Sequence, residues 1–269
     1  MQKMIAYARR VCATLCVLSA LSFAVRWAQN MSIFDPKTHL AAPGAAASWF
    51  LILFTLASLI GLAVLLLPLL SYGLDGNPSA AIRGGSNAYK TLCTLIGAIL
   101  CLAGAVLMLK ANDELYPLLR KVLGTLAILS GIGILCTGRN GKSDTESPTA
   151  CFYTIVPVLF GCFWLIVSYK DHSADPVIWG YAVEIAAIAV ATVALYLIAG
   201  FVFCRPRLFP TCMASAAAAL LCFMALGDDR AMVYQVFFAC LGLFFLITLY
   251  CLISGLNPQL RRHFHLRND

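Results

Sequence analysis

The apolar run from Val177 to Cys204 constrains this chain more than any other stretch. At about 1.5 Å per residue it is long enough to cross a hydrocarbon core of roughly 30 Å, and it carries a single acid, Glu184. Further runs follow the same pattern, near residues 49–72, 91–109, 118–137, 150–169, 208–226 and 231–253, with another at 11–25. Hydrophobic residues make up 61% of the sequence and charged residues only 12%, so no water-soluble core has room for this much apolar surface. In lipid only helices and closed barrels satisfy their own backbone groups, and these runs lack the alternation of period 2 that barrel strands show. The expectation is an all-α, polytopic transmembrane helical bundle of about eight spans at ~20 residues each.

The distribution of basic residues sets the orientation. With the N-terminus inside, every cytoplasmic segment holds at least two: Lys3, Arg9 and Arg10, then Arg83 and Lys90, Arg139 and Lys142, Arg205 and Arg207, and Arg261, Arg262 and Arg267. That is 12 of the 19 lysines and arginines, which predicts that both termini are cytoplasmic. The net charge of +7 is spread over short clusters between spans, which argues against a nucleic-acid partner. Residues 1–25 have the shape of a signal sequence, but no clear small-x-small site follows. The first run is therefore expected to stay as a span.

The whole chain reads as one integral membrane domain, with candidate halves 1–137 and 150–255 joined by the polar loop 138–149 and followed by a basic tail, 256–269. The loop 73–90 contains Gly84 and Gly85 but no phosphate-binding motif, so it reads as a connector. His263 and His265 in the tail form a pair without a third ligand. Such a tail favours contact with anionic lipid over a metal site. The 12 cysteines fall in or at the ends of apolar runs and read as small hydrophobes, not as disulfides or metal ligands. No cofactor is implied. Arg120 and Lys121 sit in the first turn of the fourth span, where they are expected to snorkel to headgroups.

Small residues recur at helical spacing. Gly97 and Gly104 in the third span, Gly124, Ala127 and Gly131 in the fourth, and Gly180, Ala187 and Ala191 in the sixth each mark a face for close helix packing. Glu184 shares the last of these faces and should therefore point into the bundle. A lipid-facing carboxylate would cost about 2.5 to 3.5 kcal/mol. Tyr181, Tyr234 and Gln235 lie at similar depth, and with Glu184 they form a candidate ligand or ion site that opens outward. Arg26 reaches it only if the first and sixth spans are neighbours.

Enzymatic readings find little support, because no histidine falls within a predicted span and Glu184 is the only acid well inside one. Two function classes remain. One is a transporter or permease-like protein, or the membrane subunit of one, with a small-solute or ion cavity near Glu184. The other is a non-catalytic membrane scaffold, sensor or assembly subunit. The expected partners are the lipid bilayer, other membrane subunits and an unidentified small-molecule or ion ligand, and the expected location is a plasma membrane of bacterial type.

Overall fold

A computed structural model describes residues 2–33, 46–72, 87–113, 116–139, 148–173, 178–203 and 205–256. Its helices are α1 (Gln2–Ile33), α2 (Ala46–Leu66), α3 (Asn87–Lys110), α4 (Pro117–Arg139), α5 (Pro148–His172), α6 (Ile178–Val202), α7 (Leu208–Ala225) and α8 (Met232–Ser254). All eight are long and apolar enough to cross a membrane. The protein is an all-α bundle of membrane-spanning helices. The Gly84–Gly85 connector, most of the 138–149 linker, residues 34–45 and the His263–His265 tail lie outside the described residues.

The first helix is longer than the apolar run at 11–25 on both sides, and two further boundaries differ from the sequence reading. The second span is not one α-helix to Tyr72: it changes at Leu66 into a 3-10 turn, Leu67–Ser71, whose first residues include Pro68. Proline lacks the N–H that an α-helix needs at that point and presets the φ of a new helical start. The fifth span continues past Tyr169 to His172. Polar residues at a helix end still satisfy their backbone within the helix, so an apolar run understates the helix that carries it.

The order of packing follows residue size. α3 and α4 form a hairpin whose backbones nearly touch. A Cβ placed on Gly97 would lie 2.5 Å from the Gly131 carbonyl oxygen, and one on Gly104 would lie 2.7 Å from that of Gly124. Ala127 is buried against the same seam, and the Cys101 thiol donates to the Ile128 carbonyl at 3.3 Å. α4 then packs on α5, α5 on α6, α6 on α7 and α7 on α8, while α8 returns to α3 and α1 packs on both α7 and α8. α7 and α8 form the centre, each 67% buried over its apolar window, whereas α2 is 22% buried and lies at the edge against α1 and α7. The alanine run Ala216–Ala219 explains how α7 holds a central place, because a helix without bulk lets several neighbours approach at once.

At one end of the bundle the interior is aromatic. Phe160 and Trp164 of α5 meet Tyr234, Phe237 and Phe238 of α8, with ring centroids 4.6 Å apart for Trp164 and Phe238 and 5.4 Å for Phe160 and Phe237. These rings floor the polar cluster described next.

Candidate functional site

Helical spacing on four segments brings charged groups to the same end. On α1, Ser19, Ser22, Arg26 and Gln29 recur every three or four residues and are all buried. On α5, Trp164, Ser168 and His172 follow at intervals of four, with Asp171 beside them. On α6, Glu184 stands one turn beyond Gly180 and Tyr181, and the link from α7 to α8 supplies Asp228 and Arg230. Gly227 lets that link lie against α1, since a Cβ there would come within 3.1 Å of the Phe23 carbonyl oxygen and the Trp27 nitrogen.

Glu184 is 5% exposed and points into the bundle. Ser168 Oγ donates to its Oε1 at 2.7 Å. Its Oε2 forms an ion pair with Arg230 and lies 3.4 Å from His172 Nε2. Arg230 also binds Asp228, its Nη2 lying 3.1 Å from Oδ2, and the same Nη2 donates to the Gly180 carbonyl at 3.1 Å. Asp228 takes a second guanidinium: Arg26 Nε reaches its Oδ1 at 2.5 Å. Asn30 Nδ2 adds donations to Asp228 Oδ1 at 3.1 Å and to the Gly227 carbonyl at 2.9 Å. Gln29 receives Arg26 Nη1 at 2.9 Å and passes a donation to Ser48 of α2 at 3.2 Å. On the far side, Arg120 Nη2 pairs with Asp171 Oδ2 at 2.8 Å, and its guanidinium lies 5.2 Å from the centre of the Tyr234 ring.

Three arginines thus meet three carboxylates, with His172 between them. Buried charges are tolerated at this density only when each has a counter-charge and its remaining donors find oxygen. Two of the partners are shared. Arg230 bridges Glu184 and Asp228, and Asp228 bridges Arg230 and Arg26, so either contact of Arg230 can break while the other holds it. His172 is poised between alternatives. Its Nε2 stands 3.5 Å from Arg230 Nη1 and 3.4 Å from Glu184 Oε2, so it can accept from the guanidinium as a lone pair or donate to the carboxylate as N–H. Its ring stacks on Tyr181 at 4.7 Å.

The other expected site residues fall around this cluster in different roles. Tyr181 holds the His172 ring, and Gln235 Nε2 donates to the Asp228 backbone carbonyl at 3.2 Å. Tyr234 lies in the layer below, stacked on Trp164 with centroids 6.3 Å apart. The Tyr234 hydroxyl and Trp164 Nε1 are both buried and have no hydrogen-bond partner among the described residues.

Three expectations are corrected. Arg120 does not snorkel: it is 8% exposed and turned inward, because Asp171 and the Tyr234 face offer it a better partner than headgroups. A histidine does belong to a span, since α5 carries His172 to the carboxylate. Gly180 is no packing contact, as a Cβ there would meet nothing within 4 Å. Its carbonyl instead receives Arg230, with Arg26 Nη2 at 3.4 Å, while Ala187 and Ala191 farther along α6 are buried. Arg26 reaches α6 at that carbonyl. The guanidinium on Glu184 is Arg230.

A polar stripe at intervals of three and four on α1, and the same interval linking Ser168 to His172, were the available signals for the residues that sequence reasoning missed. Among the described residues no group of three His, Cys, Asp or Glu side chains is placed to hold a metal ion. The chain matches no family model, no curated protein and no solved structure.

Proposed function

We propose that the protein is a permease-like carrier, not an enzyme, and that the charged cluster is the closed gate over a small-solute site near Glu184. The observation that carries this reading is the layering at that end of the bundle. A network with shared partners lies above, and beneath it two buried donors, Trp164 Nε1 and the Tyr234 hydroxyl, stand between aromatic walls without acceptors among the described residues. Buried donors in an aromatic setting suit a small solute that carries acceptor oxygens. The sidedness of the basic residues turns this end outward.

The network supplies a means of opening. Arg230 contacts both Glu184 and Asp228, so it can leave Glu184 and keep Asp228, and the pair over the solute site parts without stranding the guanidinium.

A screen of the purified protein against small polar metabolites and ions tests the proposal, because a ligand of the native state raises the melting temperature by mass action, by about 2.7 kcal/mol of stability at a hundred times its Kd. A solute that stabilises the wild type and loses its effect in Tyr234→Phe and Glu184→Gln supports a carrier. The second reading, a scaffold or assembly subunit, is favoured by the charge balance, since every arginine of the cluster already has a carboxylate. It predicts that no solute in the screen acts, and that Glu184→Gln only lowers the melting temperature.

A further inference from the structure

Away from the charged cluster, at the opposite end of the bundle, α5 and α6 diverge enough to leave a cavity of about 480 Å³. Its walls are Ile155, Val158 and Leu159 on α5 and Tyr196, Leu197 and Phe203 on the other side. Arg205 and Arg207, both exposed, stand at its mouth, and no acid among the described residues lines it. Neither guanidinium has an ion-pair partner among the described residues, in contrast to every arginine of the charged cluster. The lining is graded along the membrane normal. Tyr196 is six residues before the end of α6, about 9 Å deeper than Val202 at 1.5 Å per residue, and the arginines lie just beyond that end.

The gap has a local cause. Gly200 contributes no side chain to the wall, and its carbonyl accepts the Arg205 N–H at 2.8 Å, which turns the chain sharply out of α6 and brings the two arginines back over the groove. On α5, Pro157 sits between Ile155 and Val158 and cannot donate to the Tyr153 carbonyl, so the helix has one bond fewer at this level.

We propose that this groove is a binding site for one anionic phospholipid, with its headgroup phosphate on Arg205 and Arg207 and an acyl chain along Val158, Leu159 and Tyr196. The occupant must be amphiphilic and negative at one end. A free phosphate has nothing to place against the apolar wall, and a zwitterionic lipid gains no net attraction from two cations. The cavity also has the volume of ordinary ligand pockets, about 300 to 1,000 Å³. Basic pockets between helices on the cytoplasmic side are where anionic headgroups bind, and the basic residues of this chain assign the groove to that side.

The test is a titration of the purified full-length protein in detergent with phosphatidylglycerol or phosphatidylcholine, read by native mass spectrometry for retained lipid and by the shift in melting temperature. The expected result is one phosphatidylglycerol held in preference to phosphatidylcholine. The double change Arg205→Gln with Arg207→Gln should weaken it roughly 30-fold, since each surface cation contributes several-fold. Leu159→Trp, at an exposed wall position, should also weaken it although both arginines remain, whereas Arg9→Gln with Arg10→Gln, basic residues elsewhere on the same side, should leave it unchanged. Glycerol phosphate, which has the headgroup and no chain, should not compete. Equal retention of the two lipids, an unchanged affinity in the Arg205 and Arg207 variant, an equal loss in the Arg9 and Arg10 variant, or effective competition by glycerol phosphate would each overturn the proposal.

Discussion

The two ends of this bundle use arginine in opposite ways. At the charged end Arg26, Arg120 and Arg230 are held inside, each against a carboxylate. At the other end Arg205 and Arg207 are exposed at the mouth of an apolar groove. The difference lies in where desolvation falls. A buried guanidinium must bring its counter-charge with it, so the charged end is closed and specific. An exposed one keeps its water until a partner arrives, which leaves it free to recruit an anion from the surroundings. In the proposed reading, one end opens from within the protein and the other is filled from the membrane.

The contrast is broken most severely by Asp228→Ala. It strips the shared carboxylate from two arginines, one of them only 1% exposed, and should cost about 3 to 5 kcal/mol in unfolding free energy, measured by denaturation in mixed micelles. Next comes Gly131→Leu on the α3–α4 seam, where new atoms meet a backbone carbonyl at 2.5 Å and not a yielding side chain. It should cost at least about 1 to 3 kcal/mol and leave the charged end intact, which hydrogen exchange resolved along the chain will show. Glu184→Gln is milder, because Arg230 keeps Asp228. Combined with Arg230→Gln, its effect should depart from the sum of the singles by about 0.5 to 3 kcal/mol, the signature of a coupled pair in a double-mutant cycle. Smallest of all, Arg205→Gln should change stability by no more than about 0.5 kcal/mol in zwitterionic lipid.

Much of the architecture was legible in the order of apolar runs. The spans emerge because lipid allows few alternatives, and the inward turn of Glu184 follows from the small residues on its face. The partners of Glu184 were harder to see. Arg230 lies in a four-residue polar turn that reads as a loop, and nothing local reveals that Gly227 lets this turn fold against α1. Arg120 looked like a headgroup anchor because its inward partner, Asp171, sits on another helix beyond the end of an apolar run. Charge pairing between spans depends on which helices are neighbours, and hydropathy carries no record of neighbours. The groove was hidden for the same reason. Arg205 and Arg207 appeared only as an orientation signal, since the wall they cap comes from a different helix.

The central claim is that the charged cluster is a gate and not a permanent clamp, and the accessibility of Ser168 tests it most directly. Ser168 is 2% exposed and hydrogen-bonded to Glu184, directly behind the Arg230 pair. Ser168→Cys can be labelled in intact cells with a membrane-impermeant thiol reagent, against the background of the unsubstituted protein. A gate predicts slow labelling from outside that becomes several-fold faster when Arg230→Gln is added. Labelling that stays at background with and without Arg230→Gln, in a protein that still folds, would show that the cluster never opens and would contradict the account.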